Sequence, residues 1–396
     1  MNKIIFILLF SQINLFAQEY HFFKGQVLDL SSQAPIEGVH LRIGNIGTAT
    51  NEKGDFLLKI PVKLLTNSLV FSAIGYKNHS QILAKSDTIF QKINLESSAV
   101  ALNEVKVYSS ALAIVKSAIK EIEHNYFSTP TLLRGFYREV SQDPNTLTYK
   151  YLAEAVLEVF KPSYQSSADG TIHILQSRKK EFMVLDSMQT FFNSGTFLPI
   201  TFDIVHQNKS FINPDDVEKF KFEVQDVTTL DNQDVYVISF SPKNEEEAAL
   251  QGKLYINTQD NAFVGVDFAS NNAALQKNSK EKSKYSTIFK GKETKVRYEK
   301  MEGKYYLQSV AHTMTLNRIV KGKTEDFKLS LEFTTTDIET QEVKKPKNAP
   351  KAHRSDVFLK AVGAMDENFW GNYTTVLQNI SLQEEASSLS KETFHK

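Results

Sequence analysis

The chain has 396 residues with 46 basic and 46 acidic side chains, so no net positive field draws it to nucleic acid. Cysteine is absent, which excludes disulfides, thiolate metal sites and the lipid-bearing cysteine of bacterial lipoproteins. The 28 Phe and 15 Tyr against one Trp favour strands, in a chain long enough for two or three domains.

The opening MNKIIFILLFSQINLFAQ sets Lys3 before an apolar run at residues 4–10 and a polar stretch ending at Ala17. This is the layout of a secretory signal over residues 1–17, with cleavage after Ala17. Ser11, Gln12 and Asn14 interrupt the run well short of the roughly 20 apolar residues that a membrane-spanning helix needs. No later segment is long and apolar enough to span, so the mature chain is expected to carry no transmembrane segment. The expected location is the periplasm or association with the outer membrane.

Short strands follow. Val39, Leu41 and Ile43 alternate with His40 and Arg42, and Phe56, Leu58 and Ile60 share a face, the signature of half-buried strands. NEKGD, residues 51–55, reads as a hairpin turn in which Gly54 supplies positive φ. Glu52 and Asp55 could instead open a calcium loop, but Ca²⁺ wants about six to eight oxygens and only two carboxylates are present. Leu69, Phe71 and Ala73 add another strand, bent at Gly75. About seven short strands within some 80 residues indicate a small β-sandwich.

The pieces GQVLD, API.GV, GTATNEKGDFLLKIP, LVFSAIGYK and LNEVKVY together resemble the carboxypeptidase-regulatory-like domain, over residues 22–108. That domain also precedes the plug of TonB-dependent receptors of the starch-utilisation type. The resemblance implies a prealbumin-like β-sandwich without catalytic residues, the peptidase chemistry of the namesake enzymes residing in a separate zinc domain. The remaining chain shows no such zinc domain. None of the nine His is followed three positions later by Glu, and there is no H-E-x-x-H or G-x-S-x-G. S-A-I-K at residues 117–120 matches S-x-x-K without its partner motifs, and Gly322-Lys323-Thr324 lacks the first glycine of a P-loop. No metal site and no cofactor are expected.

Residues 109–396 form the second expected domain. Ile114, Val115, Ala118, Ile119 and Ile122 make an apolar stripe, predicting one helix over 111–127 capped by Ser109 or Ser110 and stopped by Pro130. Strands dominate afterwards, with turns at residues 143–145, 258–261 and near Gly303, while Phe327, Leu329, Leu331 and Phe333 share a face. The expected class is mainly β, with the sandwich followed by a large curved antiparallel sheet carrying the helix on its concave side. The order of helix, then meander, is similar to the periplasmic lipoprotein-carrier fold. RGFYRE, EAVLEVFK and ENFWGNY resemble exported two-module proteins of the regulatory-domain family, a resemblance that implies no activity.

Candidate ligand-binding residues are Arg134, Tyr137, Arg138, Glu139, Glu154, Glu158 and Arg178, on strands expected to be neighbours. They read either as an anion or headgroup site or as an internal Arg–Glu network fixing strand register. The basic run at residues 344–356 reads as an extended, solvated linker. FWGNY, residues 369–373, reads as an aromatic anchor. The expected function is non-enzymatic binding or assembly in the cell envelope, with an envelope protein, glycan or lipid as partner. The alternative is a periplasmic carrier or sensor of a lipid or acylated protein.

Overall fold

The computed structural model describes residues 19–83, 90–98, 110–183, 192–244, 249–282, 285–346, 350–362 and 373–377. The signal-like start, LNEVKVY and all of FWGNY except Tyr373 lie outside them.

Seven strands build the N-terminal module: β1 (Tyr20–Asp29), β2 (His40–Ile43), β3 (Ile46–Ala49), β4 (Asp55–Pro61), β5 (Ser68–Ser72), β6 (His79–Ile82) and β7 (Gln91–Leu95). One layer runs β4-β1-β7 and the other β3-β2-β5-β6. Between them Phe23, Val27, Leu41, Phe56, Leu58, Phe71 and Ile93 form a core of their own. Phe56 packs its ring against Phe23 and Phe71, with centroids 5.4 and 5.8 Å apart. At the NEKGD turn, Gly54 has φ +75°, and a Cβ there would lie 2.4 Å from the Val27 carbonyl oxygen. The Asn51 side-chain oxygen accepts the Lys53 and Asp55 main-chain N–H groups at 3.0 and 2.9 Å. The turn's polar atoms therefore serve the hairpin, as the strand pattern predicts.

Helix α1 (Ala111–Lys120) is capped by Ser110, whose hydroxyl accepts the Ala113 N–H at 3.2 Å. The predicted single helix over 111–127 is broken at Glu121, after which α2 (Ile122–Asn125) makes one turn. Tertiary contacts explain why the helical stretch stops at Asn125. Tyr126 turns extended, is buried against the rings of Tyr164, Tyr298 and Tyr305, and donates to the Phe263 carbonyl at 2.6 Å.

The remaining strands are β8 (Thr131–Gln142), β9 (Tyr149–Lys161), β10 (Thr171–Glu181), β11 (Phe220–Leu230), β12 (Gln233–Pro242), β13 (Leu250–Asn257), β14 (Phe263–Ser270), β15 (Lys280–Lys282), β16 (Tyr285–Met301), β17 (Lys304–Val320) and β18 (Lys323–Glu339). They curl into an antiparallel half-barrel ordered β11-β12-β13-β14-β16-β17-β18-β8-β9-β10, with β15 beside β16. The inner face gathers Leu133, Leu157, Ile238, Leu254, Val266, Val296, Val310, Leu329 and Phe333. Helix α1 packs there through Ile114, Val115 and Ala118. A second covering comes from residues 192–212, including the short helix α3 (Leu198–Thr201), which bury Phe192, Phe197, Ile200, Ile204 and Phe211 in the same core. Residues 350–352, predicted as solvated linker, instead lie along β10. Ile174 donates to the Pro350 carbonyl at 3.0 Å and Ala352 to the Ile172 carbonyl at 2.9 Å. Main-chain groups on the β10 edge are thereby satisfied, and Ala352 is buried.

The sandwich docks across one end of the sheet. Its Gly75 N–H reaches the Thr229 carbonyl at 2.8 Å, and Ser72 and Asn78 donate to Asp231 at 2.7 and 3.0 Å. At the centre of the joint His40 and Arg42 converge on the Glu299 carboxylate at 3.0 and 2.5 Å, with the Tyr306 hydroxyl completing the set. Burial alone would raise the Glu299 carboxyl, but His40, Arg42 and Tyr306 outweigh it and hold it at about 2.

Candidate functional site

Alternation along β8 separates the predicted residues into two groups, because side chains one apart point to opposite faces. Arg134 and Arg138 face outward. Tyr137 and Glu139 face the core.

On the outer face Arg138 is nearly fully buried, with its guanidinium over the Phe136 ring, 5.1 Å from the centroid. Its Nε donates to Glu154 at 3.0 Å. Arg178 on β10 holds the other oxygen of Glu154 at 2.8 Å, so one carboxylate with no exposed surface lies between two guanidiniums. Arg134 pairs with Asp337 at 2.6 Å, Glu158 at 3.2 Å and Glu339 at 3.4 Å. These three guanidiniums thus meet five carboxylates, Glu332 being the fifth at 3.6 Å from Arg138. An anionic headgroup would have to displace partners already in place.

Strand register extends this cluster. Lys253, Asp267, Lys295, Ala311, Glu332, Arg138, Glu154 and Arg178 stand opposite one another on successive strands from β13 to β10. Charge alternates along this row and lapses only at Ala311. Opposite charges directly across a ladder favour the register that makes them neighbours. Sequence reasoning missed Lys253, Asp267, Lys295 and Glu332. Their signal is outward parity on each strand, which becomes informative only once strand order is known.

Arg138 also reaches beyond the sheet. Its Nη2 and Nη1 donate to the carbonyls of Val376 and Leu377 at 2.8 and 3.5 Å, while Thr48 of β3 donates to the Thr375 carbonyl at 3.3 Å. Residues 373–377, without regular secondary structure, thus lie between the sandwich and the outer face of β8. Arg138→Met is expected to cost about 2–3 kcal/mol, the scale of hydrogen bonds to a charged group. The loss stays below the value for a stranded buried charge because Arg178 still neutralises Glu154. A thermal melt of that variant at or above the parent would favour the anion-site reading instead.

On the inner face Glu139 is fully buried and accepts the hydroxyls of Tyr137 at 3.0 Å and Tyr151 at 2.8 Å. Burial raises its carboxyl to about 7 against the lowering effect of those two hydrogen bonds. Gly195 lies directly over it, and a Cβ there would come within 2.3 Å of the Tyr137 hydroxyl and 3.0 Å of Glu139.

A second buried polar group escaped the sequence reading. Lys161, at the end of β9, pairs with Asp203, which also accepts the Tyr298 hydroxyl at 2.7 Å. Burial raises the Asp203 carboxyl, but Lys161, Tyr298 and His206 bring it below its ordinary value. This ion pair fastens the interior segment 192–212 to the sheet. No spacing in the sequence announces it, since its partners are 42 residues apart.

Among the described residues no group of three or more His, Asp or Glu could hold a metal ion, and no helix is long and apolar enough to cross a membrane.

Comparisons with solved structures return matches at low overlap. A domain of an outer membrane lipoprotein-sorting protein from Vibrio parahaemolyticus is 12% identical, with TM-score 0.29 over 59% of this chain and 94% of its own. A DUF1329 family protein from Desulfovibrio piger is 11% identical, with TM-score 0.26 over 60% and 96%. A LolA superfamily protein from Nitrosomonas europaea is 10% identical, with TM-score 0.24 over 60% and 96%. No curated protein matches the chain. Residues 23–107 match the CarboxypepD_reg-like domain family, and this match, together with the seven strands described above, identifies the N-terminal module.

Proposed function

We propose that this is an exported, non-enzymatic protein of the cell envelope whose work is binding or assembly. One observation carries the reading: the interior of the half-barrel is occupied by the protein's own residues 192–212, fastened by the Lys161–Asp203 pair. A carrier of lipid or acylated protein needs an open apolar chamber in that place, and would have to expel Phe192, Phe197, Ile200 and Phe211 to make one. The surface offers contacts of another kind. Among the described residues, strand β6 ends its sheet with Ile82 73% exposed, an edge able to meet a second protein. The division into a sandwich at residues 22–108 and a sheet domain at 109–396 belongs to the same proposal, and is supported by the two separate cores.

Native mass spectrometry of the protein taken from the envelope fraction tests the reading. The expected spectrum shows the protein alone or with a protein partner. An acyl-chain adduct at one-to-one stoichiometry would establish the carrier instead. The same sample tests export: N-terminal sequencing should begin at Gln18, and retention of Met1 would refute cleavage after Ala17.

A further inference from the structure

We propose that the cleft between β3 and the outer face of β8 and β9 is a docking site for a linear peptide segment, filled in cis by residues 373–377. The inference rests on the binding reading above and names its site and its class of partner. Three successive main-chain carbonyls, of Thr375, Val376 and Leu377, are taken up by Thr48 on one wall and Arg138 on the other. Recognition through main-chain carbonyls is available to any peptide that fits the width of the cleft.

The receptor side is fixed independently of its occupant. Glu154 holds Nε of Arg138, Arg178 holds Glu154 in turn, and the Phe136 ring lies against the guanidinium. The Nη edge is therefore aimed into the cleft by groups that belong to the sheet. Thr48 is fully buried on a strand of the sandwich, so the two walls come from different modules. With residues 373–377 in place both donors lie at least nine-tenths buried, so the occupant shields these hydrogen bonds from water. Residues 373–377 are the strap that the chain itself supplies to the cleft. A peptide from another molecule would compete with it against the high effective concentration of a tethered segment.

The experiment inserts a specific protease site between Gly371 and Asn372 of the full chain and cuts it after folding, leaving the strap in place without its tether. The probe is a fluorescein-labelled peptide spanning Asn372 to Asn379, followed by anisotropy. The cut protein is expected to take up the peptide at least about tenfold more tightly than the uncut protein, because cutting removes the tethered competitor. Thr48→Val in the cut protein should weaken uptake several-fold while leaving the circular dichroism of the protein unchanged. Equal binding by cut and uncut protein, or no binding by a cut protein that has released its strap, would overturn the proposal. Unchanged uptake with Thr48→Val would overturn it as well. None of these outcomes depends on a lipid adduct, so the proposal and the non-carrier reading fail separately.

Discussion

Lys161→Met is expected to destabilise the protein by about 3–5 kcal/mol at neutral pH, the usual cost of removing one partner from a buried ion pair. Asp203 has no exposed surface, and after the change its charge would rest on the Tyr298 hydroxyl and neighbouring main chain. Taking two charges out of water is costly, so the intact pair adds little net stability, yet half a pair is worse than none. The double variant Lys161→Met with Asp203→Leu should therefore recover much of the loss. Urea unfolding of the parent, the single variants Lys161→Met and Asp203→Leu, and the double variant measures both quantities. A single variant within about 1 kcal/mol of the parent would mean that residues 192–212 are held by apolar packing alone.

Glu139→Gln is expected to remove a pH dependence from the fold. The Glu139 carboxyl lies at about 7 in the folded protein against an ordinary 4.5, so the folded state holds the proton more tightly than the unfolded one. The stability that this contributes is fully present below about pH 4.5 and is lost as pH rises through about 7. The span corresponds to about 3 kcal/mol. Among the described residues, the titratable groups that face Glu139 are the hydroxyls of Tyr137 and Tyr151, both raised well above the ordinary tyrosine value by burial, and no cation compensates its charge. Glutamine mimics the protonated acid, so the variant should match the parent near pH 4 and exceed it by about 2–3 kcal/mol at pH 8.5. Thermal midpoints across that range decide the point, and parallel curves for the two proteins would refute it.

Local pattern revealed the strands because burial on one face leaves a period of two, as in Phe327, Leu329, Leu331 and Phe333, all buried. The hairpin at Gly54 was legible because its backbone conformation and close approach to Val27 demand glycine. The length of the first helix was not. Residues 122–125 keep helical spacing, and only the burial of Tyr126 among three other tyrosines ends the helix early. Arg134, Arg138, Glu154, Glu158 and Arg178 could be grouped by parity and strand proximity. Tyr137 and Glu139, predicted with them, share the strand of Arg134 and Arg138 but not their face. Lys161 and Asp203 were invisible because a buried ion pair between a strand end and an irregular segment has no period.

Strand order also bears on how the chain acquires its shape. Strand β8 pairs with β9 across a short turn, but its other neighbour is β18, which begins only at Lys323. On the export proposed above the chain arrives N-terminus first, so β8 is delivered well before Lys323 and the rest of β18. Throughout that interval the main-chain groups on one edge of β8 have no native neighbour, and such an edge is a template for wrong pairing. The last hairpin therefore acts as a closing clasp, and before it arrives the nascent half-barrel depends on whatever shields that edge from other chains.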